Sequence, residues 1–280
     1  ITQQIYNYFS IKQIINAKNS YFSKKINMIK VSEVLSYITD VAPICWQESY
    51  DNSGLLVGDA NALVDKVLVT LDVTEKVVDE AIENSIRLII SHHPLIFKGL
   101  KNILVDDTTG RIITKAIKHD ISIAAMHTNL DNSFYGVNRV LAEQFGLKDL
   151  QILRSSQQLE IQVGSGMLGT LEAEISENDF LKFIKEKLNV GAIRHSELLN
   201  RPIKKVAICG GSGAFLIDDA KRCGVDAYVT ADLKYHDFFS ADNEVLIIDS
   251  GHFETEQFTK QLFADIILKK NPKFAVQISS

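Results

Sequence analysis

Short apolar runs alternate with amphipathic helical segments along most of this chain, and that alternation constrains its fold more than any other feature. Residues 67–73 are apolar and β-branched, which is typical of a buried strand. Thr74 then supplies an N-cap for a helix over residues 75–84, where Val78 and Ile82 share one face. Strand and helix repeated in this order predict an α/β fold of two lobes, with mostly parallel or mixed sheets flanked by helices.

The same patterns predict the other elements. Further strands are expected at residues 87–90, 121–126, 205–209, 227–230, 245–249 and, at a sheet edge, 275–278. Further helices are expected at residues 31–38 with Ser32 as cap, 109–119, 138–145, 176–188, 214–222, 235–241 and, as one long final helix, 253–268. Residues 159–163 and 168–175 alternate apolar and polar side chains around residues 164–166, so they predict an antiparallel pair.

Composition excludes several classes of protein. With 46% hydrophobic and 23% charged residues, the chain is neither a disordered nor a collagen-like sequence. No apolar run approaches the roughly 18–20 residues of a membrane span. The net charge of −5 gives no general reason to bind nucleic acid or an anionic membrane. The three cysteines, Cys45, Cys209 and Cys223, form no CxxC pair, which argues against a disulfide scaffold and favours a cytoplasmic location.

The first 27 residues differ from the rest. They contain four lysines and no acidic residue, and the first methionine is Met28. We expect residues 1–27 to be a leader outside the folded domain, which then spans residues 28–280. Organellar import is the lesser alternative, because transit peptides are usually rich in arginine and this segment has none.

Three predicted strand ends carry histidines in one context. Strand 87–90 runs into two adjacent histidines, and strands 121–126 and 245–249 are each followed by a histidine with a carboxylate four residues later. The candidates are His92, His93, His127, Asp131, His252 and Glu256. Ligands of α/β sheets bind beyond the carboxyl ends of the strands. If the three strands are parallel neighbours, these side chains converge.

This set combines imidazoles and carboxylates without a thiolate. Such ligands suit Zn, Fe, Mn or Ni. One catalytic ion usually takes three protein ligands, so six candidates favour two divalent ions roughly 3.5–4 Å apart with a bridging carboxylate. Glu256 is the candidate bridge, because it lies one helical turn after His252. Taken singly, each histidine has the alternative role of a hydrogen-bonded loop residue.

The remaining histidines and two glycine segments have weaker signals. His119 and His195 are interpreted as surface residues, whereas His236 is either a proton-transfer group near the site or a helix-surface residue. Residues 51–58 favour a tight turn near the sheet over ligand binding. Residues 209–213 favour a close backbone approach to the site over phosphate binding, because they lack the P-loop lysine and the full GxGxxG spacing.

Five short motifs follow one another along the chain. They are Asp-Asn-Ser-Gly-Leu-Leu-Val-Gly (51–58), Ser-His-His-Pro (91–94), His-Thr-Asn-Leu-Asp (127–131), Gly-Gly-Ser-Gly (210–213) and Gly-His-Phe-Glu-Thr-Glu (251–256). Together they resemble the NIF3-like family, also called GTP cyclohydrolase 1 type 2 homologues. The resemblance covers residues 28–280 and fits the short form of the family. It implies two similar lobes, the first of residues 28–135 and 236–280 and the second of residues 136–235. It also implies a dinuclear metal centre between the lobes, facing the interior of a toroidal homohexamer.

Carried over residue by residue, the resemblance implies that His93 and Asp131 bind one ion. It implies that His92 and His252 bind the other and that Glu256 bridges both. His127 would be a further ligand or a proton-handling group.

The leading functional hypothesis is a dinuclear metal-dependent hydrolase. The family label implies GTP as substrate, and another nucleotide or phosphoester fits the metals equally well. His127 or His236 would transfer protons near neutral pH. The alternative is a non-enzymatic metal-binding hexameric ring that stores or inserts metal or serves as an interaction platform. A nucleic-acid-binding ring is not expected, because an acidic chain would have to build a basic interior locally.

Overall fold

The computed structural model describes residues 28–156 and 163–280. The segment 1–27 and most of the predicted strand 159–163 lie outside the described residues. The strands are β1 (Ile29–Lys30), β2 (Gly54–Val57), β3 (Leu63–Val64), β4 (Lys66–Thr70), β5 (Leu88–Ser91), β6 (Ser122–Ala125), β7 (Lys148–Ser155), β8 (Gly164–Ile175), β9 (Arg194–His195), β10 (Ile203–Ser212), β11 (Ala227–Ala231), β12 (Leu246–Asp249) and β13 (Ala275–Ile278).

The helices connect and cover these strands. They are α1 (Val31–Thr39), α2 (Glu75–Glu83), α3 (Thr108–Lys118), α4 (Thr128–Asp131), α5 (Val137–Gln144), α6 (Glu177–Leu188), α7 (Ile217–Arg222), α8 (His252–Glu256) and α9 (Thr259–Lys270). Short 3-10 helices lie at Ile44–Trp46, Ala214–Leu216 and Tyr235–Ala241. Thr74 caps α2 as predicted, since its side chain accepts a hydrogen bond from Val77 N. Within the described residues, no helix is both long and apolar enough to cross a membrane.

Two mixed sheets form the frame of the molecule. The first has the order β13-β4-β5-β6-β2, with β2 antiparallel to four parallel strands. The second has the order β7-β8-β10-β11-β12-β9, with β10, β11 and β12 parallel. Strands β1 and β3 make a small antiparallel pair. The predicted α/β class with mixed sheets and flanking helices is confirmed.

Each large sheet is buried on both faces. Leu88 and Ile90 of β5 pack into a core with α1 and α9, while Ile89 between them packs with α2 and α3. In the second sheet Val206 packs with α5 and α6, and Ala207 packs with α7. Strands covered on both faces need apolar residues at every position, which explains their continuous apolar runs.

The course of the chain between the lobes differs from the expectation. Strand β12 belongs to the second sheet, although the expected boundaries assigned residues 236–280 to the first lobe. The chain crosses back at Gln257–Phe258. There the expected single final helix divides into α8, which contacts β10 and β11, and α9, which packs against α1 and β13.

Two local predictions are also wrong. The antiparallel neighbours of β8 are β7 and β10, and residues 164–166 begin β8 instead of forming the turn. Positive φ at Asp149 and a register shift interrupt the alternation of β7, which hid it from the periodicity. Ser32 lies inside α1, whose N-cap is Lys30.

Candidate metal centre

The carboxyl ends of the two sheets face each other, and the candidate residues meet there. His92 and His93 directly follow β5. The backbone N–H groups of both residues donate to β4 and the residue after it, His92 to Thr70 O at 3.2 Å and His93 to Leu71 O at 2.9 Å. These bonds extend the strand pairing past the last ladder residue and fix both histidines.

Each lobe also contributes a histidine and a carboxylate four residues apart. His127 follows β6 and immediately precedes α4, which ends at Asp131. His252 begins α8, which follows β12 and ends at Glu256. Residues four apart lie on one face of a helix, and Glu256 accordingly lies beside His252. Asp131, at the end of α4, lies beside His92. Gly251, with φ of +86°, provides the turn from β12 into α8.

The side chains form two groups that share one carboxylate. In the outer group, His93 Nε2 and His252 Nε2 each lie 3.0 Å from Glu256 Oε2 and 3.1 Å from each other. In the inner group, His92 Nε2 lies 3.5 Å from Asp131 Oδ1 and 3.6 Å from Glu256 Oε1. Ligand atoms about 2.0–2.1 Å from one ion stand roughly 3.0–3.4 Å apart, close to these separations. Each group could hold one metal ion.

Burial separates the histidines of the two groups. The side chain of His92 is 0% exposed, against 23% for His93 and 35% for His252. Three buried atoms of the cluster have no hydrogen-bond partner of suitable geometry among the described residues: His92 Nε2, Asp131 Oδ1 and Glu256 Oε2. Unpaired buried polar atoms are costly and need an explanation. A cation in the inner group would satisfy His92 Nε2 and Asp131 Oδ1, and a cation in the outer group would satisfy Glu256 Oε2, so the donor set fits metal binding.

The electrostatics of the cluster also favour positive charge. Burial alone lowers the pKa of His93, but the carboxylates of Asp72 and Glu256 outweigh it and raise this pKa to about 10. The carboxylates of Glu256 and Asp232 raise the pKa of His252 to about 9. Burial raises the pKa of Glu256, yet the surrounding histidines hold it well below its usual range. Protons bound at these nitrogens mark positions that a divalent cation can take instead.

A buried aspartate fixes His127. The carboxylate of Asp51 accepts hydrogen bonds from His127 Nδ1 at 2.8 Å, from Thr128 N at 3.0 Å and from Asn52 N at 2.8 Å, and the Thr128 hydroxyl donates to it as well. Burial raises the pKa of Asp51, but these bonds outweigh it and hold the pKa far below the usual range. With Nδ1 committed to Asp51, Nε2 of His127 is free to face the cluster, where it groups with His92 and His93.

The glycine segment at the end of β10 approaches the cluster as predicted. Gly211 has φ of +62°, and a Cβ at this position would lie 2.3 Å from Glu256 Oε1. Its N–H donates to Thr255 Oγ1 at 3.0 Å, which ties β10 to α8. Only glycine allows the backbone to pass so close to the shared carboxylate.

A groove leads away from the cluster. A cavity of about 230 Å³ at the cluster adjoins one of about 820 Å³. The residues common to both are Glu48, Tyr50, Asn132, Ser165 and Phe215. The rings of Tyr50 and Phe215 are exposed, and Glu48 Oε1 accepts from Asn132 Nδ2 at 3.1 Å. Exposed aromatic rings beside fixed polar groups are features of a site for a small molecule with a planar part.

The structure places the other histidines away from this cluster. His119 and His195 are exposed, in agreement with their interpretation as surface residues. His236 is exposed, lies against the rings of Tyr235 and Phe239, and belongs to none of the ligand groups. Its role in proton transfer stays a prediction.

Sequence reasoning missed the three aspartates that hold the histidine rings. Asp232 directly follows β11 and lies two residues beyond the predicted strand 227–230, so the strand-end pattern also marked it. Asp72 lay inside the predicted strand 67–73, whereas β4 ends at Thr70. Asp51 lies just before β2, in a segment interpreted only as a turn. Residues 54–57 of that segment form a strand.

The sequence model of the Duf34/NIF3 (NGG1p interacting factor 3) family matches residues 29–280. The chain belongs to this family. It is 37% identical over 231 residues to a Clostridium perfringens protein named GTP cyclohydrolase 1 type 2 homolog, covering 81% of this chain and 87% of that protein. A Campylobacter jejuni protein of the same name is 36% identical over 241 residues, covering 84% and 91%. The resemblance inferred from the motifs is confirmed.

Solved structures of NIF3-related proteins have the same fold. A Bacillus cereus protein related to NIF3 aligns with a TM-score of 0.84 and 28% identity, over 91% of this chain and 97% of that chain. A Staphylococcus aureus protein aligns with a TM-score of 0.82 and 32% identity, over 90% and 96%. Within the family frame, the structure groups the ligand atoms differently from the expected pairing. His93 lies with His252, and His92 lies with Asp131.

Proposed function

We propose that the chain is a dinuclear metal-dependent hydrolase. The observation that supports two ions is the position of Glu256, whose two oxygens belong to different groups of ligand atoms. His92 and Asp131 would hold the inner ion, His93 and His252 the outer one, and Glu256 both. Imidazole and carboxylate donors suit Zn, Fe, Mn or Ni. When bound, the pair would polarise the substrate and make a nucleophile available at neutral pH.

His127 is the proposed proton-handling residue. Its Nδ1–H is held by Asp51, so the neutral ring has its lone pair on Nε2, and the residue groups with His92 of the inner group and His93 of the outer group. At Nε2 the ring would take a proton from the attacking water and return it to the leaving group. The opposing possibility, that His127 is a further ligand, uses the same atom.

The groove supports a substrate with a planar ring. Tyr50 and Phe215 offer stacking surfaces, and the fixed carboxylate of Glu48 accepts hydrogen bonds from ring N–H groups. A nucleotide has both a planar base and phosphate groups that bind divalent ions. We therefore propose GTP or another nucleotide or phosphoester as substrate, in keeping with the names of the relatives.

A substrate screen tests this proposal. Protein loaded with Zn²⁺ or Mn²⁺ is assayed against nucleoside triphosphates, including GTP, and against phosphomonoesters and phosphodiesters. We expect metal-dependent hydrolysis that His127→Ala lowers by about 100-fold or more and that His119→Ala, at an exposed histidine, leaves unchanged. Bound metal without turnover on any substrate would contradict the hydrolase and favour the non-enzymatic metal-binding ring.

The homohexamer belongs to the same proposal. Family membership supports it, and the loop after His93 exposes the apolar side chains of Phe97, Leu100, Ile103, Leu104 and Val105. The ring of Phe97 lies 6.2 Å from that of His127 between centroids. Exposed apolar patches of this kind mark interaction surfaces. Light scattering at micromolar concentration should give a mass of six chains, and a monomer under those conditions would contradict the ring.

A further inference from the structure

All four histidines of the cluster have Nδ1 bound to an oxygen. The pairs are His92 with Met126 O at 2.9 Å, His93 with Asp72 Oδ1 at 3.0 Å, His127 with Asp51 Oδ1 at 2.8 Å and His252 with Asp232 Oδ2 at 2.7 Å. A neutral imidazole that donates from Nδ1 carries its lone pair on Nε2. These bonds therefore fix the tautomer that presents Nε2 to the centre of the cluster.

The outer and inner groups differ in the kind of oxygen. Both outer histidines donate to carboxylates, whereas the inner His92 donates to a neutral backbone carbonyl. A carboxylate acceptor fixes the ring and raises its basicity as a ligand more than a carbonyl does. The inner ring is instead held by complete burial.

Asp72 and Asp232 have little other structural work. Their side chains are 61% and 49% exposed. Within residues 28–156 and 163–280, each carboxylate makes its only side-chain hydrogen bond to the histidine ring. Asp232 also has φ of +58°, a conformation that costs a non-glycine residue free energy. Exposed carboxylates of this kind contribute little to folding, so a role toward the ring nitrogen remains.

We propose that Asp72 and Asp232 are positioning residues that set the metal affinity of the outer position, and that the inner position does not depend on them. This inference rests on the metal binding in the proposed function. Loss of the hydrogen-bond partner of a metal-ligating histidine typically lowers metal affinity by about 10–100-fold. The outer ion should therefore weaken selectively, and it is also the ion whose histidines face solvent.

Zinc titration tests the proposal without any assay of activity. Metal-free parent, Asp72→Ala, Asp232→Ala and the double variant are dialysed against buffered free Zn²⁺ over several decades of concentration, and bound zinc is measured by elemental analysis. Asp79→Ala is the matched control. The side chain of Asp79 is 49% exposed, like that of Asp232, but it pairs with Lys115 between helices α2 and α3. Thermal melts of the metal-free proteins report on folding.

We expect two zinc ions per parent chain. Each single variant should keep one ion at the parent's affinity and bind the other about 10–100-fold more weakly, with a larger loss in the double variant. Asp72→Asn and Asp232→Asn should recover part of the loss, because the amide oxygen still accepts from Nδ1, and a purely structural defect would give no such order. Asp79→Ala should match the parent.

Two results would overturn this inference while the proposed function stands. One is parent-like binding of both ions by the double variant, and the other is equal weakening of both ions. A parent chain that binds no zinc would instead contradict the proposed function itself, and the inference would fail with it.

Discussion

The two lobes present the same local unit at the cluster, and the units differ by one methylene group. After β6 the first lobe has His127 and, four residues later, Asp131. After β12 the second has His252 and Glu256 at the same spacing. The shorter Asp131 contributes an oxygen to the inner group alone, whereas Glu256 contributes one oxygen to each group. The carboxylate of the second lobe therefore joins the two groups, and the complete set of ligand atoms requires both lobes.

The largest effect should follow from removing the charge of the shared carboxylate. Glu256→Gln should lose both ions, because the substitution removes a charged ligand from each group. Asp131→Asn should lose only the inner ion. Each loss of metal affinity should exceed the roughly 10–100-fold loss expected when Asp72 or Asp232 is removed. Elemental analysis after dialysis would give near zero and one metal per chain, respectively.

These two variants test whether Glu256 and Asp131 have different roles in metal binding. If Glu256→Gln retains one tightly bound ion, or if Asp131→Asn loses both, then the two carboxylates do not have the different roles described above.

The next largest effect is the pH dependence of metal affinity at the outer group. In the metal-free protein the pKa of His93 is raised to about 10 and that of His252 to about 9, so both rings carry protons at neutral pH. Metal must displace those protons, and affinity at the outer position should rise with pH until about pH 9–10. The expected slope is about tenfold per pH unit for each proton displaced.

Zinc competition titrations at pH 6, 7 and 8 would measure this slope. Outer-site affinity that stays constant over this range would show that the nitrogens are already unprotonated, contrary to the electrostatics of the cluster.

The smallest effect concerns the close approach of β10 to Glu256. Gly211→Ala adds a Cβ 2.3 Å from Glu256 Oε1 at a positive φ, so it should destabilise the fold and displace the shared carboxylate. Gly224→Ala is the control, because Gly224 has φ of +60° with no atom within 4 Å of the added Cβ. The control should cost about 1–2 kcal/mol for the backbone alone, and Gly211→Ala should cost more.

Urea unfolding of the metal-free proteins would measure the loss in free energy of unfolding for both variants. A zinc titration would report whether the carboxylate of Glu256 is displaced. Equal costs with unchanged zinc affinity for Gly211→Ala would mean that the backbone and Glu256 relax apart without consequence.

The histidines of the cluster could be predicted from sequence because their position depends on a local rule. The end of an apolar run in the sequence marks the carboxyl end of a buried strand. His92, His127 and His252 all lie just beyond such ends. The same rule applied to carboxylates would have found Asp232, but Asp72 was hidden because the predicted strand 67–73 extends past the observed end of β4 at Thr70.

The assignment of strands to sheets could not be predicted in this way. Strand 245–249 has the same apolar pattern as the strands of the first sheet, yet it pairs with β11 and β9 in the second. Periodicity reports burial on both faces and does not identify the neighbour, which non-local packing decides. The pairing of ligands depends on that packing, so the grouping of His93 with His252 emerged only from the structure.

The most direct test of the shared carboxylate is anomalous diffraction from crystals of the zinc-loaded protein. We predict two anomalous peaks per chain, roughly 3.5–4 Å apart, with one oxygen of Glu256 toward each. A single peak, or two peaks of which only one lies beside Glu256, would contradict a dinuclear centre bridged by this residue.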